Sequence, residues 1–127
     1  SGGLAITVIR MIYTRRAYDI ESDVKGERFL VDRVWPRGLK REDIRAAWLR
    51  DAAPSDDIRQ RFHADGNWDA FKDSYFRELD DHAPAWAPLV EAARKGDVVL
   101  LYGSRDTEHN NALALKEYIE RKLETIQ

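Results

Sequence analysis

A set of polar residues suited to catalysis or anion binding follows two short apolar segments of the chain. Its members are Asp32, Arg33, Arg37, Arg105, Asp106, His109 and Asn110. Arginine presents a planar guanidinium that grips carboxylates and phosphates through two hydrogen bonds. Histidine ionises near neutral pH, which suits it to proton transfer. These residue types indicate a site for a small phosphate, sulfate or carboxylate compound.

The predicted catalytic residues are His109, Asp32 and Asp106. His109 is the best candidate for a general acid or base, and either carboxylate could orient its ring. Each residue also has a structural interpretation. Asp32 can pair with a neighbouring arginine or a backbone N–H, Asp106 can cap the last helix, and a histidine at a helix start is commonly a surface residue.

The predicted ligand-binding residues are Arg33, Arg37, Arg105, Asn110 and Trp35. The arginines would hold the anion, together with free N–H groups at the start of the last helix. Alternatively, Arg33 and Arg37 tie their turn to acidic side chains, and Asn110 caps the helix. Trp35 is either a stacking platform or, more in keeping with its type, a packing residue in or beside the core.

Three apolar segments are predicted to form the strands that position these residues. They cover residues 6–13, 29–34 and 98–102, with a further short extended segment at 47–49. Residues 14–28 are polar and are predicted to form a loop. Residues 98–102 are predicted to form the central strand. If it runs parallel to the strand at 29–34, both polar groups meet at the carboxyl edge of one sheet, where open α/β sheets place their ligands.

Helices are predicted in the middle and at the end of the chain. They comprise a turn at 41–47, a helix from Ser55 to Phe62, one capped by Asn67, one between Pro84 and Gly96, and one that begins near Asn110. Strands alternating with helices predict a small single-domain α/β sandwich with a short, mainly parallel sheet flanked by helices. We assign residues 4–127 to this domain and interpret residues 1–3 as a cloning remnant.

The composition narrows the possible functions. The chain has 127 residues, a formal net charge of -2 and no cysteine. Disulfides, thiolate nucleophiles and cysteine-based zinc sites are therefore excluded, and nucleic acid is an unlikely partner. His63 and His82 lack a second histidine four residues away, so no metal is predicted. With no signal peptide and no long apolar run, a cytoplasmic location and no membrane association are expected.

Several common motifs are absent. The sequence contains neither a phosphate-binding P-loop nor a dinucleotide-binding G-x-G-x-x-G. Ser104 follows a strand and a glycine, as a nucleophile elbow would, but G-x-S-x-G is missing. No cofactor is predicted.

Four segments, in this order and spacing, resemble a known family: VDRVWPRG, AWLRDAAPS, RFHADGNWDAFKDSY and LLYGSRDTEHNNALALKEY. The family is the YeaO-like family, domain of unknown function 488, and the resemblance extends from about Ile6 to Tyr118. It implies a compact α/β domain. The family has no assigned activity, so it implies no catalytic residue. Relatives more often carry a small residue and a lysine at positions 104 and 105, which makes Ser104 a poor nucleophile candidate.

Two classes of function follow from these observations. In the first, the domain binds or processes a small anionic ligand in the polar pocket. In the second, it is a non-catalytic binding or regulatory module for nucleic acid or for a protein, the latter through exposed aromatic residues such as Trp68 or Trp86. The sequence identifies neither a reaction nor an oligomeric state.

Overall fold

A four-stranded, entirely parallel sheet organises the chain in the computed structural model, which describes residues 10–21 and 24–125. The strands are β1 (Ile12–Arg16), β2 (Glu27–Leu30), β3 (Ala47–Trp48) and β4 (Val98–Tyr102). Their order across the sheet is β1-β4-β2-β3. The predicted central strand is confirmed, since β4 lies between β1 and β2. The predicted α/β class and parallel sheet are confirmed as well.

Five α-helices accompany the sheet in the described residues: α1 (Arg41–Ile44), α2 (Asp56–Asp65), α3 (Trp68–Asp80), α4 (Ala83–Lys95) and α5 (Asn111–Thr125). Local sequence explains several of their ends. The side chain of Asn67 accepts a hydrogen bond from Ala70 N and caps α3, as predicted. Gly66 ends α2 with a φ of 62°, a left-handed conformation that glycine adopts without strain.

The sheet buries a hydrophobic core on each face. Along β4, Val98, Leu100 and Tyr102 point into the larger core, which α2 to α5 cover. Val99 and Leu101 point into a smaller core, which is closed by α1 and irregular segments. All five residues of β4 are buried. An uninterrupted apolar run is the pattern of a strand covered on both faces.

One face of α5 packs against the sheet. Ala112, Leu115 and Ile119 are buried in the larger core, and Leu123 packs against it. Within the described residues, no helix has the length and apolar character that a membrane span requires.

The predicted strand boundaries were partly wrong. Residues 6–9 and the presumed remnant at 1–3 lie outside the described residues. β1 continues to Arg16 and β2 begins at Glu27, so the predicted loop over 14–28 was too long. These polar residues belong to strands because backbone pairing with β4 holds them, Arg16 opposite Tyr102 and Glu27 opposite Val98.

The second strand also ends earlier than expected. β2 stops at Leu30, although Val31 N still donates to Leu101 O at 3.1 Å. The backbone departs from the ladder at Asp32, whose side chain rather than its backbone connects to the chain after β4.

Candidate functional site

An open cleft of about 540 Å³ lies at the carboxyl edge of the sheet. It separates two segments that we call the β2 loop (residues 31–40) and the β4 loop (residues 103–110). Because β2 and β4 are parallel neighbours, the two polar groups do share one edge. The charged residues that line the cleft are Asp32, Arg33, Arg59, Arg105 and Asp106, with His63 beside them.

Asp32 ties the two loops together. Its Oδ2 accepts a hydrogen bond from Gly103 N at 2.8 Å, and its Oδ1 accepts one from Asn111 Nδ2 at 3.0 Å. Burial raises the pKa of the Asp32 carboxyl, and the two hydrogen bonds oppose that shift without cancelling it. Both oxygens of this carboxylate are thus engaged by the fold.

The close approach of Asp32 to the backbone depends on a glycine. A Cβ atom at position 103 would lie 3.0 Å from Asp32 Oδ2, closer than side-chain carbons normally approach an oxygen. Because Gly103 has no Cβ, its N–H reaches the carboxylate without crowding the oxygen.

Arg33 is used to hold the chain in place. Its Nε donates to Pro54 O at 3.2 Å and its Nη2 to Ala53 O at 3.3 Å. Its recorded partners are thus backbone carbonyls rather than the acidic side chains that we expected as the structural alternative. These two hydrogen bonds hold residues 53–54 against the β2 loop, where they form another wall of the cleft.

Trp35 packs against the smaller core. Its ring lies edge-on to Trp48 with centroids 5.4 Å apart, and its Nε1 donates to Leu39 O. Arg37 is exposed, and its backbone carbonyl accepts a hydrogen bond from Tyr18 Oη at 2.8 Å. The residues that line the cleft include Trp35 but not Arg37.

The β4 loop brings Asp106 next to His109. Asp106 Oδ1 accepts hydrogen bonds from Glu108 N at 2.9 Å and His109 N at 3.0 Å, and these bonds lower the pKa of the Asp106 carboxyl. The other oxygen, Oδ2, lies 3.6 Å from His109 Nδ1. The His109 ring also lies edge-on to Trp68, with centroids 5.2 Å apart. Of the two carboxylates proposed to orient His109, the structure places Asp106 beside it.

Asn110 caps α5. It is buried, its Oδ1 accepts from Leu113 N at 2.9 Å, and its Nδ2 donates to Asp106 O at 3.0 Å. Both ends of its amide are thus engaged within the fold. Asn110 therefore has the capping role that we gave as its alternative to ligand binding. It positions the β4 loop at the start of the helix.

Sequence reasoning missed Arg59, His63 and Asn111 as cleft residues. Arg59 and His63 are four residues apart on α2 and therefore lie on the same face of the helix. That spacing indicates that the two side chains lie on one face of α2, but it cannot show that this face packs beside the β2 loop. Asn111 was visible as part of a polar run, and its amide donates to Val31 O and to Asp32 Oδ1.

The cations of the cleft differ in how far the fold uses them. Among the described residues, Arg105 has no hydrogen bond or ion pair, whereas Arg33 is bound to carbonyls. Arg59 makes an exposed 3.4 Å pair with Asp56. Three arginines face two aspartates in the cleft of a chain whose formal net charge is -2. No group of three histidine, aspartate or glutamate side chains in residues 10–21 and 24–125 could hold a metal ion.

Fold and site together define a small parallel α/β domain with a cationic cleft at the carboxyl edge of its sheet. The chain belongs to the DUF488-N3i family, described as the "Inactive DUF488-N3 subclade", which matches residues 11–127. This agrees with the resemblance found in the sequence.

Relatives in two bacterial groups share most of the chain. Uncharacterized protein YeaO of Escherichia coli K12 is 34% identical over 110 residues, which cover 85% of this chain and 96% of YeaO. Uncharacterized proteins Mb3100c of Mycobacterium bovis and Rv3073c of Mycobacterium tuberculosis are each 34% identical over 103 residues, covering 80% of this chain and 86% of theirs. No solved structure matches the chain.

Proposed function

We propose that this domain binds a small anionic ligand in the carboxyl-edge cleft and does not chemically convert it. The observation that carries the proposal is Arg105. Its guanidinium lines the cleft without a hydrogen bond or ion pair to any other described residue, and Arg59 and His63 line the same space. A phosphate, sulfate or carboxylate would supply the acceptor that this guanidinium lacks.

The state of the two carboxylates supports an anionic rather than a cationic ligand. Asp32 accepts hydrogen bonds on both oxygens, and Asp106 accepts two on Oδ1. Their charge is thus partly neutralised by N–H groups of the protein. Arg105, in contrast, donates to no other described residue.

Binding without turnover is supported by two observations. The subclade to which the chain belongs is described as inactive. In addition, Asp32, the carboxylate with a raised pKa, is hydrogen-bonded to Gly103 and Asn111 rather than to an imidazole. We expect no nucleic acid binding, because acidic residues accompany the arginines in the cleft.

The test is a titration with inorganic phosphate that is monitored through the backbone amide signals in NMR spectra. Signals from the β4 loop should shift and saturate, and Arg105→Ala should weaken phosphate binding about tenfold by removing a charge-assisted contact. At a concentration one hundred times the Kd, phosphate should stabilise the protein by about 2.7 kcal/mol.

Arg59 offers a closely matched control experiment. Arg59 and Arg94 each pair with an acidic residue three positions earlier, and their side chains are 48% and 45% exposed. Only Arg59 lines the cleft. Arg59→Ala should weaken phosphate binding and Arg94→Ala should not. Equal effects of the two substitutions, or phosphate shifts that avoid the β4 loop, would contradict the proposal.

A further inference from the structure

A narrow slot of about 100 Å³ opens beside the cleft. It shares part of its lining with the cleft, namely Pro54, Arg59, His63, Ser104 and Asn111. The slot adds the rings of Phe62, Phe71 and His109, and its exposed lining is mainly apolar. The two spaces together offer a cationic chamber with an apolar side chamber.

The apolar walls of the slot are held by packed aromatic rings. Phe62 lies against Phe71 with centroids 4.9 Å apart, and Trp68 stacks on Phe71 at 5.5 Å with an interplanar angle of 14°. Phe71 is buried in the larger core. Because these rings pack against one another, the slot is preformed and a ligand group entering it pays little to order its walls.

The size of the slot limits what it can accept. A closed apolar cavity of about 150 Å³ holds a benzene molecule in other proteins. At about 100 Å³, this slot has room for most of a single ring but not for a fused bicyclic system. Aromatic walls favour a flat ring, which can stack or meet them edge-on.

We infer that the ligand carries one small, uncharged planar ring beside its anionic group. This inference rests on the proposed function. The ring occupies the slot between Phe62 and His109, and the anion lies in the cleft near Arg59 and Arg105. Arg59 lines both spaces, so its position matches the junction between the two parts of such a ligand.

The experiment compares two monoesters of phosphate that differ in the attached group. Phenyl phosphate carries the ring and methyl phosphate does not, and both are dianions at about pH 8. By isothermal titration, phenyl phosphate should bind at least roughly tenfold more tightly, because burying a ring removes apolar surface from water.

Two variants of the slot and one control show whether the slot is responsible for the tighter binding of phenyl phosphate. In Phe62→Leu and in His109→Ala, the affinity ratio of phenyl to methyl phosphate should fall toward one. His109 is exposed, so its replacement does not endanger the fold. His82 is an exposed histidine that lines neither space, and His82→Ala should leave the ratio unchanged.

The outcomes separate the two proposals. If both esters bind with equal affinity, the ring inference is wrong and the proposed anion binding stands. If the ratio is high but unaffected in both slot variants, the ring binds elsewhere and the inference is again overturned. If neither ester nor inorganic phosphate binds, the proposed function fails, and the ring inference fails with it.

Discussion

The two loops that form the cleft are held in place by different means. The β2 loop is anchored by contacts that reach far along the chain: Asp32 to Gly103 and Asn111, Arg33 to Pro54, and Trp35 to Trp48. The β4 loop is held mainly by hydrogen bonds among its own residues, above all those that Asp106 accepts from Glu108 and His109. The β4 loop has fewer hydrogen bonds to distant residues: Gly103 N donates to Asp32, and Ser104 O accepts from Arg16 Nε at 3.0 Å.

Under the proposed function, the two loops have different tasks. Substitutions in the β2 loop should lower the stability of the whole domain, because residues of this loop connect the sheet to the walls of the cleft. Changes in the β4 loop should alter ligand contacts at little cost, since Arg105 and His109 are exposed. Substitutions in the β4 loop can therefore change ligand recognition while the β2 loop maintains the folded structure.

The largest effect is expected for Trp35→Ala. The substitution removes the edge-on contact with Trp48 and a ring packed against the smaller core, at a cost of about 3 kcal/mol. Chemical denaturation measures it, with Val34→Ala as the control. Val34 is 61% exposed and should change stability by less than about 0.5 kcal/mol. Similar losses in the two variants would show that the β2 loop is not anchored through Trp35.

Asp32→Ala should cost about 2 kcal/mol in acidic solution, because Gly103 N–H loses its acceptor. Burial raises the native pKa of Asp32 above its ordinary value of 3.8. The native state therefore holds this proton more tightly than the unfolded state does. The contribution of the Asp32 carboxyl to the stability of the wild-type protein is fully present below pH 3.8. It decreases as the pH rises through the native pKa of this group.

The alanine variant lacks this ionisation, so the difference in stability between the two proteins should shrink with rising pH. Urea denaturation at a series of pH values measures the difference. A difference that grows over the same range would mean that the native carboxyl favours its charged form, contrary to the burial argument.

Gly103→Ala tests the contact between the loops at a smaller cost, about 1 kcal/mol. The added Cβ would lie 3.0 Å from Asp32 Oδ2, so the two loops must separate slightly. Gly96→Ala is a matched control, because no atom lies within 4 Å of its Cβ position and its φ of 177° is extended. If thermal unfolding shows the two variants to be equally stable, the contact is not tight.

The smallest change in global stability is expected for Asp106→Ala. Its effect should appear as faster hydrogen exchange at the amides of Glu108 and His109, which lose their acceptor. The lowered pKa of Asp106 means that these bonds persist above pH 3.8 and are lost as pH falls through the lower native value. In wild type the two amide signals should shift in that acidic range, and in the variant they should not. Unchanged exchange would show that the loop is held by other contacts.

The central strand could be predicted because its signal is local and unambiguous. The shared edge of the sheet was expected only on the condition that β2 and β4 run parallel, which the structure shows. The run from Val98 to Tyr102 is apolar throughout; Gly103 follows it directly, and Gly96 lies two residues before it. The ends of β1 and β2 could not, because Arg15, Arg16 and Arg28 look like loop residues until pairing with β4 is known. Backbone hydrogen bonds override side-chain polarity at such positions.

The cleft residues divide in a similar way. Asp32 and Arg105 follow strand ends, so their place at the edge was predictable from chain order. Arg59 and His63 come from the surface of α2, and only tertiary packing brings that surface beside the β2 loop. For Asn110 the sequence left two roles open, ligand binding and capping of the last helix, and the structure shows a buried cap.

The place of β4 in the sheet has a consequence for how the protein is made. β1 and β2 pair with β4 but not with each other, and β4 is the last strand along the described chain. During synthesis, neither early strand has its main partner until residue 102 has left the ribosome. Pairings this distant in sequence are slow to form. Apolar residues such as Phe29 and Val31 therefore stay uncovered in the nascent chain, where chaperones can act on them.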